Sequence, residues 1–306
     1  MIEPNREHGG RGVSTVRRTY LSDGGHRLPF IEALNHGPLI LDAGMGTRLL
    51  ERGLVLALDD PTLWNLTRPS QVLAIHRRDV AAGSDAVFTN TFGANRYWLK
   101  KFGRETLVES INRRAVQLAR SALGADRYVI GDIGPTAGLD PGTATEQAEF
   151  LVDAGVDALI LETYRYPDVE LVLAGVTESL AAPIPVLVSL WEWPESAVLA
   201  ARRLLDLGAA VIGMNCQAGI EAAVAFAERM DRRLACPLLI KPSTRGTDCA
   251  ADASTAFAHA VPRLVDYGVR LFGGCCGTSE VHVAAFADAC ARLDRRSFPS
   301  LQGVSP

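Results

Sequence analysis

The chain has 306 residues, 48% of them hydrophobic and 22% charged, with Lys+Arg 31 against Asp+Glu 35 and a formal net charge of -4. That is globular composition with no excess of positive charge for a nucleic acid or an acidic membrane surface, and no apolar run reaches the roughly 18 residues of a membrane span. Six cysteines in a chain of this length, two of them adjacent, do not make the dense framework of a small secreted domain. A reducing cytoplasm is therefore expected, where clustered cysteines serve as metal ligands or reactive thiols.

Residues 1–30 read as an N-terminal arm. Arg6, Arg11, Arg17 and Arg18 have no apolar segment behind them, so a secretory signal is not expected. The folded unit spans 31–293, and 294–306 form a tail. A first strand is expected at Pro38 to Leu41. From there one phrase recurs: an apolar-periodic helix stops at a glycine and a β-like run follows. It is found at Gly83 before Asp85–Asn90, at Gly155 before Val156–Glu162, at Gly208 before Ala210–Cys216, and at Gly268 before Val269–Cys275. Glycine suits the left-handed position just past a helix end, so each instance reads as a C-cap feeding a strand. Tyr128–Ile133, Pro185–Leu190 and Pro237–Ile240 supply three more strands. Between them, Leu107, Ile111, Ala115 and Leu118 share one helical face, as do Val169, Val172, Leu173 and Val176.

The strands are continuous apolar runs, the pattern of parallel strands covered by helices on their outer face. Eight β/α units in about 260 residues predict an α/β fold, a single (β/α)8 TIM barrel with short extensions. A doubly wound open sheet is the alternative.

Polar residues end these apolar strands: Asp42, Asn90, Asp132, Glu162, Cys216, Lys241 and the pair Cys275–Cys276. In a barrel that is the face carrying the chemistry. Asp132 and Lys241 can equally be helix caps or solvated loop residues. The sulfurs are harder to explain by packing. Strands six and eight contribute to the same interior layer, which lets Cys216, Cys275 and Cys276 converge. Gly273–Gly274 and Gly277 let the backbone leave the ladder, so both adjacent thiols can turn inward.

Three thiolates with an open fourth position make a zinc site of catalytic type, and the paired Cys-x-x-Cys knuckles of structural zinc are absent. The six histidines fall on helices, loops or the arm. Cys236, Cys249 and Cys290 read as small core residues. Two other readings of the glycine-rich turn stay open. It can cradle a phosphate, as in a barrel lyase or isomerase, or the vicinal cysteines can be a redox pair.

From about Leu39 to Ala291 the chain resembles the homocysteine S-methyltransferase family. The resemblance rests on Asp42 in Leu41–Thr47, on Thr89–Asn95, on Glu162–Thr163, on Asn215–Cys216 and on Gly273–Gly277. It implies a zinc-containing barrel with Cys216, Cys275 and Cys276 as the ligands of Zn2+. It also implies that Asp42, with the Ala43 backbone, helps hold the amino acid part of homocysteine, and that Glu162 receives its ammonium. The implied reaction moves a methyl group from a small activated donor, S-methylmethionine-like or betaine-like, to homocysteine, giving methionine.

Trp64, on the loop after the first strand, stands where family members using small onium donors carry a tryptophan. A cationic donor favours aromatic faces. Trp191 and Trp193 either add to such a cage or form a hydrophobic rim. The chain lacks the length for folate- or cobalamin-binding modules, which leaves a separate corrinoid protein as the alternative methyl source.

Three features depart from the family pattern. Ala43–Gly44 replaces Gly-Ala or Gly-Gly. An upstream Asp23–Gly24–Gly25 lacks the Met-Gly-Thr context. Lys241–Gly246 replaces Pro-Asn-Ala-Gly after strand seven.

Overall fold

A computed structural model describes residues 20, 25–136, 140–230, 234–244 and 250–293. Asp23, Gly24, Arg245, Gly246, Cys249 and nearly all of the expected arm and tail lie outside the described residues. The strands are β1 (Leu39–Ile40), β2 (Ala86–Phe88), β3 (Tyr128–Ile133), β4 (Ala158–Arg165), β5 (Val186–Glu192), β6 (Ala209–Ala218), β7 (Leu238–Ser243) and β8 (Val269–Phe272). They form one parallel sheet in the order β1-β8-β7-β6-β5-β4-β3-β2, with helices between successive strands and Glu280–Ala291 after the last. The expected (β/α)8 barrel is what the chain forms. All four helix-ending glycines named above have positive φ, from 90° to 108°.

The seam between β1 and β2 is closed largely by side chains. One backbone bond crosses it, Asp85 N–H to the Ile40 carbonyl at 2.7 Å. Asp85 Oδ2 accepts from Ile40 N at 2.9 Å, and Asp42 Oδ2 accepts from Phe88 N at 2.9 Å. Buried amides need partners, and two carboxylates supply acceptors that a longer ladder would have supplied from its backbone.

Strand alternation separates two apolar layers. Ile130, Ile160, Leu187, Val211, Leu239 and Leu271 face the barrel interior, closed from below by Phe30 and Leu34 of the short helix Phe30–Asn35. Val129, Leu159, Val188, Ile212 and Ile240 face the helices. Tyr20 and Leu28 pack beneath the barrel: Tyr20 donates its hydroxyl to the Pro38 carbonyl, and Tyr128 donates to that of Leu28. Continuing the inward alternation toward the strand C-termini reaches Asp132, Glu162, Ser189, Asn215 and Lys241, all buried. The barrel thus changes from apolar to polar along its own axis. Among the described residues no helix is long and apolar enough to cross a membrane.

Candidate metal and acceptor site

Three sulfurs meet at the polar end. Cys216 lies in a bulge of β6: its ladder with β7 runs through Asn215–Lys241 and resumes at Ala218–Ser243. Its φ is +60°, a strained conformation for a residue with a side chain, and it takes the thiol out of the regular strand direction. Asn215 links this bulge to the neighbouring one on β4, where Thr163 has φ +66°. It donates to Thr163 Oγ1 at 2.6 Å and accepts from Ser189 Oγ at 2.8 Å.

After β8 the chain leaves the ladder through Gly273 and Gly274. A methyl group on Gly273 would lie 2.8 Å from Leu41 Cβ, and one on Gly274 2.7 Å from Thr278 Cβ. The resulting Sγ separations are 3.0 Å for Cys216–Cys275 and 3.9 Å for both Cys216–Cys276 and Cys275–Cys276. Two thiolates on a tetrahedral zinc with bonds of ~2.3 Å stand about 3.8 Å apart; both separations to Cys276 match that, and Cys216 and Cys275 would move apart to share the ion. Without a cation the three sulfurs do not ionise together. Cys276 is held down to about 3, because Cys216 and Cys275 both donate to it. Hydrogen bonding to Cys275 and Cys276, and then burial, push the Cys216 thiol far up. A soft dication relieves that conflict.

The same backbone is unsuited to a phosphate. Gly273 N–H donates to the Ile240 carbonyl, Gly274 N–H to that of Asp42, and Cys275 N–H to that of Pro242. Gly277 N–H donates to Thr47 Oγ1. An anion cradle needs amides free to point at its ligand, and these are committed to β7, to Asp42 and to Thr47.

Facing the sulfurs is a layer of buried charge. Lys241 donates to Asp42 Oδ1 at 2.9 Å and lies 3.9 Å from Glu162 Oε1, with its ammonium 3.5 Å from the centre of the Phe88 ring. Burial opposes its charge, but Asp42, Glu162 and Cys275 outweigh that and hold the ammonium protonated. Burial pushes Glu162 up to about 8, against the pull of Lys241. Burial and then Glu162 push Asp132 well above the usual carboxylate range. Asp132 Oδ1, Glu162 Oε1 and Ser243 Oγ are buried without a hydrogen-bond partner. All three acids and the three cysteines border one cavity of about 530 Å³, a volume suited to small-molecule ligands.

Residues 39–290, the whole barrel, match the family described as homocysteine S-methyltransferase. The chain belongs to that family. It is 27% identical to the methionine synthase of Mycobacterium leprae (strain TN) and 28% identical to that of Mycobacterium tuberculosis (strain ATCC 25618 / H37Rv), over 88% and 87% of its length. It spans about a quarter of the length of either, 26%. Among solved structures, the metallated form of the homocysteine methyltransferase MmuM from Escherichia coli is similar to it in fold. The TM-score is 0.68 at 22% identity, covering 82% of this chain and 96% of that one.

The barrel brings most of the expected site residues of this family member to one cavity. Asp42, Ala43, Glu162, Cys216, Cys275 and Cys276 all border it. Ala43 and Gly44 are fixed from behind by Arg48, whose guanidinium donates to both carbonyls while pairing with Asp79 at 2.6 Å. Trp64 is not brought there. It is 1% exposed and packs among Leu49, Leu54, Val72, Ile75 and Leu118, with its indole N–H on Asp59 Oδ2. Its spacing from Asp42 is legible in the sequence, but its burial depends on how the loop folds back onto the helix Pro69–Ala82.

Trp193 donates to the Gly213 carbonyl and packs on Phe226, while Arg165 stacks on Trp191. Neither ring borders the cavity. Phe92, Trp98 and Asp60 do, and sequence reasoning does not single them out. The available signal is position: Phe92 lies on the loop after the second strand and Trp98 in the short helix Arg96–Leu99 that follows it.

Proposed function

We propose that this protein transfers a methyl group from a small cationic donor to the thiol of homocysteine, giving methionine. The observation that carries the reading is the convergence, in one cavity, of three thiols and a wall of buried carboxylates with unpaired oxygens. Cys216, Cys275 and Cys276 would hold a zinc ion, which when bound supplies the charge that keeps an acceptor sulfur ionised at neutral pH.

The chain's own groups do the rest. The carboxylates facing the sulfurs take the acceptor's ammonium and so set the distance from amino group to thiol. Lys241 neutralises Asp42, which leaves that wall able to bind a zwitterion. Phe92, Trp98 and the buried Asp60 offer faces and charge to an onium donor. The acceptor sulfur's lone pair forms the new carbon–sulfur bond. The donor's bond from methyl to its cationic centre breaks, and the electron pair stays on that centre, which becomes neutral. Holding both molecules in line supplies much of the rate. A reducing cytoplasm would keep the three thiols available.

A second donor reading has an observation of its own. Val55, Leu56 and Leu58 are exposed beside the mouth, Leu58 at 78%, and the relatives named methionine synthase are about four times as long. A methyl group carried on a separate corrinoid protein would use such a surface.

The test is a donor panel of S-methylmethionine, S-adenosylmethionine, betaine and a methylated corrinoid protein, with methionine as product and zinc per chain measured alongside. About one zinc per chain and turnover with one donor class support the reading. Full activity in metal-free protein overturns it.

A further inference from the structure

We propose that the acceptor's ammonium is seated between Glu162 and Asp132, and that Lys241 has taken the Asp42 side of the cavity as an internal cation. The proposal rests on the reading of the acceptor as an amino-acid thiol. It changes which residues select the amino group.

Four charged side chains share one buried layer: Asp42, Asp132, Glu162 and Lys241, between 1% and 8% exposed. Three are acids and one is a base, so the layer lacks positive charge once all its acids ionise. Asp42 is already served, with Oδ1 on Lys241 Nζ and Oδ2 on Phe88 N–H. A second ammonium entering between Asp42 and Glu162 would meet the Lys241 ammonium, which already sits 2.9 Å from one acid and 3.9 Å from the other. Like charges at such distances, away from water, repel strongly.

The gap between Glu162 and Asp132 is different. Asp132 Oδ1 is buried without a hydrogen bond, Glu162 Oε1 has only the 3.9 Å ion pair with Lys241 and no hydrogen bond, and both residues border the cavity. β3 and β4 are adjacent strands, and register pairs Asp132 with Ile160, two residues before Glu162. Both side chains enter the interior from neighbouring strands, Glu162 one inward step further along, and close enough for the Glu162 charge to raise the Asp132 carboxyl. Buried acceptors without donors are costly, and an ammonium brings three donors and the missing charge. Its arrival also lets Asp132 and Glu162 ionise together, which burial and their mutual repulsion otherwise oppose.

Asp132 then determines acceptance of the amine, whereas Asp42 holds Lys241 and the barrel seam. The test is calorimetric binding of homocysteine and of 4-mercaptobutyrate, the same thiol acid without the amine, to zinc-loaded protein. Wild type is compared with Asp132→Asn and with the double variant Asp132→Asn/Lys241→Met. Asp132→Asn is expected to weaken homocysteine about ten- to a hundredfold, the scale of a buried charged hydrogen bond, while leaving 4-mercaptobutyrate unchanged or tighter.

Adding Lys241→Met is expected to recover much of the loss, because the ammonium can return to Asp42 and Glu162. Zinc content should stay the same throughout. Equal losses for both ligands, or homocysteine binding untouched by Asp132→Asn, overturn the proposal while leaving the thiol-acceptor reading intact. A wild-type protein that binds neither thiol removes both.

Discussion

Gly44→Ala tests the link between the first loop and the cysteine turn. Gly44 has φ -59° and ψ 104°, angles open to any residue, so backbone conformation gives no reason for a glycine there. On conformational entropy alone, alanine would stabilise the fold by about 0.4–1 kcal/mol. Space argues the other way. A methyl group at Gly44 would run into the carbonyl oxygen of Cys275, a backbone group that cannot rotate aside. That carbonyl is held by the Thr278 hydroxyl at 2.6 Å, and the same hydroxyl accepts from Gly44 N–H.

Overpacking against such a neighbour costs about 1–3 kcal/mol, which outweighs the entropic gain. The expected net loss is about 1–2 kcal/mol, or roughly 2–8 °C in Tm for a domain of this size. The displaced carbonyl belongs to a metal ligand, so zinc affinity should fall about 10- to 100-fold. Thermal unfolding of metal-free protein gives the first quantity, and competition with a chromogenic chelator gives the second. Gly46→Ala is the control. It lies two residues on, at the start of the helix Met45–Glu51, with nothing within 4 Å of its added carbon, and should be neutral or stabilising with zinc unchanged. If Gly44→Ala behaves like Gly46→Ala, the packing of the first loop on the cysteine turn does not position the thiols.

Other expectations follow from the same geometry. Cys216→Ser should lower zinc from about one per chain to a small fraction, read by elemental analysis after dialysis against a chelator. Undiminished metal would remove Cys216 from the ligand set. Glu162 titrates near 4.5 when unfolded but near 8 in the fold, so between those values the folded state holds the extra proton. Its contribution to stability is full below pH 4.5 and is lost as pH rises toward 8, each tenfold difference in proton affinity between the two states being worth about 1.4 kcal/mol. Urea midpoints of metal-free protein should therefore fall across pH 5–8.5, and Glu162→Gln should flatten that slope; parallel curves would count against it. Trp98→Leu should raise KM for a cationic donor several-fold at unchanged homocysteine affinity. Trp64→Phe should leave donor KM alone and lower Tm by a few degrees, through the lost bond to Asp59 and a poorer fit beneath Arg68. The opposite ranking would move the donor to the Trp64 side.

The barrel is legible because its signals are local. A helix ended by glycine and followed by an apolar run says βα wherever it occurs, and β3 is bounded to the residue at Tyr128–Ile133. Where strand ends differ from expectation there are physical reasons. β1 is expected over Pro38–Leu41 but has only two ladder residues, Leu39 and Ile40, because Asp85 and Asp42 take over as acceptors at its seam. β4 and β6 run past their expected ends to Arg165 and Ala218, because bulges let polar residues leave and rejoin the ladder. The cysteine cluster is foreseeable from the strand ends and the glycines, but parity puts Asn215 rather than Cys216 inward, and the bulge that turns this thiol to the mouth has no local signal. The ion pair of Lys241 with Asp42 spans 199 residues of sequence, and no local pattern announces it. Trp64 shows the converse: a tryptophan at a suggestive position, turned into the core by packing that its spacing does not encode.

Asp42 joins these strands of reasoning. Its Oδ2 closes the β1–β2 seam, its Oδ1 holds Lys241 on β7, and its carbonyl accepts from Gly274, the residue before the first turn cysteine. One residue therefore touches the barrel's weakest joint, the internal cation and the segment that carries two thiols. A ligand whose ammonium competes for Asp42 would disturb all three at once. One seated on Glu162 and Asp132 leaves the seam and the Gly274 contact alone and meets the internal cation only through its 3.9 Å ion pair with Glu162, because neither of those oxygens holds a hydrogen bond. The division of labour follows from where the unpaired oxygens are: Asp42 keeps the mouth assembled, and the acids on β3 and β4 remain free to respond to what enters it.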